Sequence, residues 1–168
     1  MSKQVSIPLS DRPVMPDGYG IPETAEGLLP WSHVEERLVA SRNYWINTAN
    51  TAGKPHATPV WGVWVNGALY FDGSPETRRN RDIAANPAVA VHLESGDDVV
   101  ILEGTARDIG APPQELAEAV SAAYCAKYAA SGYAPTAEAW NEGGLCEMRP
   151  QVAFAWTQFP QNVTRWRF

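Results

Sequence analysis

Ala57-Thr58-Pro59-Val60-Trp61-Gly62-Val63-Trp64-Val65-Asn66-Gly67-Ala68-Leu69-Tyr70-Phe71-Asp72 sets β-branched and aromatic residues on both sides of one Asn-Gly pair. Asn-Gly is the strongest short hairpin signal, because both residues accept the positive φ that a two-residue turn requires. The stretch therefore reads as two antiparallel strands, Ala57–Val65 and Ala68–Asp72. Pro59 has no N–H to give a ladder, so it must lie at a sheet edge or a bulge. Trp61 and Trp64 flank Gly62 and, three residues apart, face opposite sides of the sheet.

Outward from this hairpin the same period continues. Tyr44–Ala49 is a strand, and Ala52-Gly53-Lys54-Pro55 turns the chain. Before it, Ser32 with Glu35 makes a capping box, and Val34 and Leu38 share a face, so a helix is expected over 32–41. On the other side residues 75–86 form a helix that stops at Pro87, with Ser74 as N-cap and Pro75 in its first turn. Ala88–Leu93 and Val99–Arg107 make a second hairpin across Ser95-Gly96-Asp97-Asp98. Pro112-Pro113 opens a helix to about Tyr128, with Leu116, Val120, Tyr124 and Tyr128 four apart. Residues 131–144 read as a loop with one short helical turn, Val152–Trp156 as a sixth strand, and Thr164–Phe168 as a tail. Six strands arriving mostly as hairpins, with no repeating βα unit, indicate a mainly β (α+β) fold. Its sheet is antiparallel and closed toward a barrel, with peripheral helices. Residues 1–30 carry five prolines and the turn-rich Pro16-Asp17-Gly18-Tyr19-Gly20. They form an extended arm lying on the single domain, 31–168, or on a partner subunit.

A chain of 168 residues is one domain at roughly 150 residues per domain, large enough to bury about 70% of its unfolded surface. Thirteen basic against nineteen acidic side chains give a net charge of −6, which argues against a nucleic-acid surface. The one dense basic patch is Arg78, Arg79 and Arg81. No apolar run approaches the ~20 residues of a membrane span, and Met1–Leu9 has no apolar core of a signal peptide. Cys125 and Cys146 form no CxxC pair and read as free thiols of a cytoplasmic protein. His33, His56 and His92 lack metal-ligand spacing, and no G-x-S-x-G, P-loop or G-x-G-x-x-G occurs.

The anomaly is the start of the second helix. A helix N-terminus favours acidic side chains, yet this one carries Arg78 and Arg79, with Arg81 one turn in. Free backbone N–H groups, the hydroxyls of Ser74 and Thr77, and two guanidinium forks make a cradle for a phosphate. Two cations on a positive dipole cost stability when empty. The same residues also fit a solvated helix face, with Glu76–Arg79 and Arg78–Asp82 pairs.

Thr77-Arg78-Arg79-Asn80-Arg81-Asp82-Ile83-Ala84-Ala85-Asn86-Pro87 resembles the phosphate-binding segment of the pyridoxamine phosphate oxidase-like flavin split barrels. Pro55-His56-Ala57-Thr58-Pro59-Val60-Trp61-Gly62 and Gly67-Ala68-Leu69-Tyr70-Phe71 look like that family's cofactor-facing hairpin. The wording of the hairpin, with Leu93-Glu94-Ser95-Gly96-Asp97-Asp98, is most similar to its flavin/deazaflavin oxidoreductase branch, whose members use coenzyme F420, FMN or FAD or bind haem or tetrapyrroles. The resemblance spans about residues 31–108, with an echo in Thr164–Phe168. It implies a six-stranded split barrel, a homodimer and a cofactor, F420 or alternatively FMN, in a groove between subunits. Thr77, Arg78 and Arg79 would hold the cofactor phosphate, with Gly73 and Ser74 on the loop before them as further cofactor-binding residues. Thr58, Pro59, Val60 and Trp61 would meet the ring. Tyr44, Tyr70 and His56 are the candidate proton donors. Ala57-Thr58-Pro59-Val60 stands where vitamin B6 oxidases carry basic residues, and Arg165-Trp166-Arg167-Phe168 lacks their C-terminal substrate motif. The implied reaction is therefore hydride transfer with a small substrate, rather than vitamin B6 oxidation. The alternative is a non-catalytic carrier of flavin, haem or tetrapyrrole on the same barrel.

Overall fold

Asn66 and Gly67 both take positive φ, 51° and 76°, the backbone of the tight hairpin turn, and they set Val65 opposite Ala68. The computed structural model describes residues 7–168. The first six residues of the expected arm, and so most of Met1–Leu9, lie outside that range. In chain order the strands are β1 (Leu9–Asp11), β2 (Tyr44–Ala49), β3 (Pro55–Val60), β4 (Val63–Val65), β5 (Ala68–Asp72), β6 (Ala88–His92), β7 (Val99–Asp108), β8 (Leu145–Trp156) and β9 (Thr164–Arg167). The helices are α1 (Trp31–Ala40), α2 (Arg78–Ala85) and α3 (Gln114–Tyr128), with short 3-10 turns at Ala129–Ser131 and Ala137–Trp140.

The hydrogen-bonded order β1-β9-β8-β7-β6-β2-β3 returns on itself. β3 continues through Trp61 and Gly62 into β4, which pairs with β5, and β5 pairs with β8. The single strand expected over Ala57–Val65 is thus two pieces with a corner between them. Its first piece bonds β2 and its second bonds β5. Gly62 permits that corner: a Cβ there would stand 2.9 Å from the Tyr70 carbonyl oxygen. Counting β3 and β4 as one, six strands close the barrel, all antiparallel, and β1 and β9 extend it. β3 bonds only β2 and is an edge, the position that Pro59 requires.

Three boundaries differ from the sequence reading. β8 begins at Leu145, not Val152, and splits its pairing: Leu145–Met148 bond β5 and Val152–Ala155 bond β9, while β7 runs along the whole of it. Pro150 hides this strand from propensity, and it is accommodated at a register shift between Glu103 and Gly104 of β7, as prolines in sheets are. α1 is capped by Pro30 without a side-chain bond, because Trp31 is drawn into the core against Trp64 and Trp166; the Ser32 box does not form. α2 is capped by Thr77, whose hydroxyl accepts from Asn80 N, not by Ser74.

Tyr44, Ile46 and Thr48 point into the barrel while Trp45, Asn47 and Ala49 point out. The barrel is filled by Leu38, Ile46, Leu69, Phe71, Val91, Leu102 and Trp166 among others. A second cluster lies beneath α3, where Val120, Tyr124 and Tyr128 meet Val63, Ala68, Tyr70 and Trp140. The described part of the arm lies on its own domain: β1 pairs with β9, and Arg12 donates to the carbonyls of Thr24, Glu26 and Val163. No helix among the described residues is long and apolar enough to cross a membrane.

Candidate cofactor site between the second helix and an edge strand

The loop Gly73–Thr77 delivers α2 through a tight local network. Asn80 Nδ2 donates to the carbonyls of Gly73 and Ser74, both at 3.0 Å. The Ser74 hydroxyl accepts from Glu76 N at 3.2 Å. The N–H groups of Arg78 and Arg79 lie in the first turn, where no intrahelical acceptor exists, and that turn holds no acidic residue.

The two arginines part ways. Arg79 is 7% exposed. Its Nε donates to Asn80 Oδ1 at 3.0 Å and its Nη2 to the Asp72 carbonyl at 3.1 Å. The guanidinium lies 5.2 Å from the Phe71 ring centroid. Gly73 makes room for it, since a Cβ there would fall 2.4 Å from Arg79 Nη2. Burial lowers its pKa, partly opposed by Cys146 and Asp72. Among the described residues it has no carboxylate within ion-pair distance, so the expected Glu76–Arg79 pair is absent. The Asp72 carboxylate instead accepts from the Tyr133 hydroxyl. Arg78 is more open. It donates to the Pro55 carbonyl at 3.1 Å and stands 3.7 Å from Asp82, the local pair the sequence suggested. Asp82 is shared with the Thr48 hydroxyl at 3.1 Å. Arg81 donates to the Glu76 carbonyl.

Through Arg78 and Pro55 the cradle touches the start of β3. Thr58 faces inward with His56, their Oγ1 and Nε2 2.7 Å apart, while Pro59 lies opposite Trp45 on the outer face. Val60 is buried. Trp61 stacks on Tyr128, centroids 4.8 Å apart, beneath the Arg42 guanidinium at 5.0 Å. At ~3.3 Å per residue, Pro55 to Trp61 spans roughly 20 Å.

Gly73 and Ser74 look the other way. They line a cavity of about 360 Å³ shared with Asp72, Asp108 and Glu142, and three carboxylates make it unfit for a phosphate. These two residues shape the loop, and Thr77, Arg78 and Arg79 remain as candidates for holding an anion. Tyr44 and Tyr70 are sealed in the core. Their hydroxyls go to the Leu38 carbonyl and to Glu147, and burial pushes both phenols well up. Neither can serve as a proton donor at an open site; His56 is half-buried on β3. No group of three metal-ligating side chains occurs among the described residues. Sequence reasoning missed Lys127, which lies beside the Tyr124–Tyr128 spacing and bonds Gly62 O at 3.2 Å. Its only signal was a lysine one position from the apolar face of α3.

The sequence profile of the pyridoxamine 5'-phosphate oxidase family matches residues 31–156. The chain belongs to the pyridoxamine 5'-phosphate oxidase family. Its barrel is the split barrel of that family, and the matched span takes in α1, α2, α3 and every barrel strand. Nothing among curated proteins matches the sequence. Solved structures share the fold. A conserved hypothetical protein from Mycobacterium tuberculosis has a TM-score of 0.64 at 18% identity, covering 80% of this chain and 89% of its own. A heme binding protein from Mycobacterium smegmatis has a TM-score of 0.62 at 21% identity, covering 83% of this chain and 59% of its own. An F420 reductase has a TM-score of 0.55 at 22% identity, covering 80% of this chain and 100% of its own.

Proposed function

We propose that this member of the pyridoxamine 5'-phosphate oxidase family binds coenzyme F420, with FMN as the alternative, and transfers a hydride to or from a small substrate. The observation that carries this reading is Arg79, a buried guanidinium without a carboxylate, beside the open Arg78 at a helix start with no acidic side chain. Such a site lacks only an anion. The residues fit the cofactor's phosphate at Thr77, Arg78 and Arg79, and the edge strand from Thr58 to Trp61 offers unpaired backbone for a flat ring. The bound ring would supply the redox chemistry, and the protein its orientation and a dry wall. Similarity to an F420 reductase and to a heme binding protein supports cofactor binding on this barrel without choosing between them.

The test is titration of the purified protein with F420, FMN and haem, read by absorption. A deazaflavin or flavin spectrum that binding perturbs, and that bleaches on reduction, supports the proposal. A Soret band on haem addition, with neither other cofactor bound, replaces it with the carrier reading, for which His92, half-buried and stacked on Trp45, offers an imidazole. Arg78→Ala should weaken F420 or FMN binding by about 1.5–3 kcal/mol, the range for hydrogen bonds to charged groups. It should cost about 0.5–1.5 kcal/mol of stability as well, because the side chain donates to the Pro55 carbonyl. Unchanged affinity would remove Arg78 from the site.

The protein is proposed to work as a homodimer. Across-strand register sets Pro59, Trp45, His92, Ile101 and Phe154 in one row on the outer face of β3, β2, β6, β7 and β8. A row with four large or apolar side chains beside one imidazole calls for a second surface. Light scattering should give about twice 18.3 kDa, and a monomer at micromolar concentration would refute the shared groove. The free thiols of Cys125 and Cys146 fit a reducing, cytoplasmic setting.

A further inference from the structure

The corner at Trp61 and Gly62 is held from α3. Tyr128 accepts from Gly62 N at 3.0 Å. Its single proton can serve either the Arg42 carbonyl at 2.7 Å or the Gly62 carbonyl at 2.9 Å. The shorter bond to Arg42 leaves Gly62 O to Lys127, whose Nζ donates to it at 3.2 Å while also donating to Ser41 O at 2.9 Å and the Tyr44 hydroxyl at 2.7 Å. One ammonium therefore ties together the end of α1, β2 and the β3–β4 corner.

We propose that Lys127 is a positioning residue: by holding the Gly62 carbonyl it fixes the corner and thereby the register of Thr58–Trp61, and releasing its proton loosens that segment. The consequence for the cofactor rests on the assignment of Thr58–Trp61 to the ring; the tie itself does not. The ammonium lies against the rings of Tyr44 from β2 and Tyr128 from α3, and next to Tyr128 stand Tyr124 from α3 and Arg42 from the turn before β2. Among the described residues no carboxylate stands within ion-pair distance of it. Its outer side is a cavity of about 290 Å³ walled by Val39, Ala40, Val63 and Trp64, none of which titrates. The charge lies 5.0 Å from the Tyr44 ring and 5.7 Å from that of Tyr128.

Burial draws the Lys127 pKa down to about 8. A lysine whose folded value lies below its unfolded one opposes folding while charged, and that opposition fades as pH rises through the folded value. Between pH 8 and 9 stability therefore rises, while the neutral amine keeps two of its three N–H donors and the longest of its bonds, to Gly62 O at 3.2 Å, is the one given up. Tyr44, Tyr124 and Tyr128 are all pushed above the ordinary tyrosine value and stay neutral throughout. Opposite movement of the corner and of the whole fold is the signature.

The experiment is amide hydrogen exchange at Gly62 in the cofactor-free protein, with melting temperature and F420 and FMN titrations alongside. In Lys127→Met at pH 7, and in the wild type between pH 7 and 9, the Gly62 protection factor should fall about 5–10-fold, the effect of one hydrogen bond. The melting temperature should hold or rise. Cofactor affinity should fall by a similar factor in Lys127→Met, and Lys127→Arg should restore protection at pH 9. If Gly62 protection is unchanged in both the variant and the wild-type pH series, the proposal is wrong; the pH series decides the matter even if Lys127→Met does not fold. If protection falls while neither F420 nor FMN binds the wild type, the tie stands and the cofactor assignment fails.

Discussion

Arg79→Ala is expected to lower F420 or FMN affinity at least ~30-fold, since truncating one partner of a buried charged contact costs about 2–5 kcal/mol. Read from sequence alone, two arginines on a helix N-terminus should repel each other when empty, and the variant should melt no lower than wild type. The structure reverses that sign. Arg79 fills the space above Phe71 and donates to the Asp72 carbonyl and Asn80 Oδ1. Removing it strands the Asp72 carbonyl and leaves Asn80 Oδ1 only the weak Cys146 thiol donor at 3.8 Å, at about 1–3 kcal/mol. That loss is offset in part by the relief of desolvating an unpaired cation. The variant should thus lose stability modestly and cofactor affinity severely. Inorganic phosphate added to the cofactor-free proteins gives a second readout: it should raise the wild-type melting temperature and not that of the variant. An Arg79→Ala protein that binds cofactor like wild type would make this arginine purely structural.

Gly104→Ala should be the most damaging single change in the barrel. A Cβ at Gly104 would stand 2.0 Å from the Arg149 carbonyl oxygen and 2.9 Å from Pro150 Cα. Both obstacles are backbone of β8, so no side chain can swing aside. Relief requires opening the β7–β8 ladder, the longest in the molecule, at the register shift that admits Pro150. The expected cost is upward of about 3 kcal/mol, the top of the usual overpacking range, or roughly 6–12 °C in melting temperature for a chain of this size. Gly96→Ala in the β6–β7 hairpin is the control, because a Cβ there meets nothing within 4 Å. Equal melting of the two variants would contradict the close packing of β7 on β8.

Much of the barrel was legible because its signals are local. Tyr44–Ala49 alternates over six residues, Ala68–Asp72 is a short apolar run closed by Asp72, and Asn66-Gly67 specifies its turn through two backbone angles. The start of α2 was legible only as a patch of charge. Which residue caps the helix depended on whether the Gly73–Ser74 carbonyls could be met, and Asn80 meets them, so the cap is Thr77 and the helix starts at Arg78. The fate of Arg79 was not legible at all. Its environment is made by Phe71, Asp72 and Cys146, residues that pairing between β5 and β8 brings to it.

By itself, then, the sequence determined most of the barrel strands, the hairpin turns, three helices and the presence of an arginine-rich helix start. Each depends on side-chain period or backbone preference over a few neighbouring residues. Only the tertiary structure decided where the long strand breaks at Trp61 and Gly62, that Leu145–Gln151 joins the barrel, which arginine is buried, and that Lys127 reaches the corner. Those outcomes rest on contacts between distant segments, such as the Tyr70–Glu147 bond across 77 residues. The energy of burying a cation or a carbonyl depends on which groups such contacts deliver beside it, and no local window of sequence contains them.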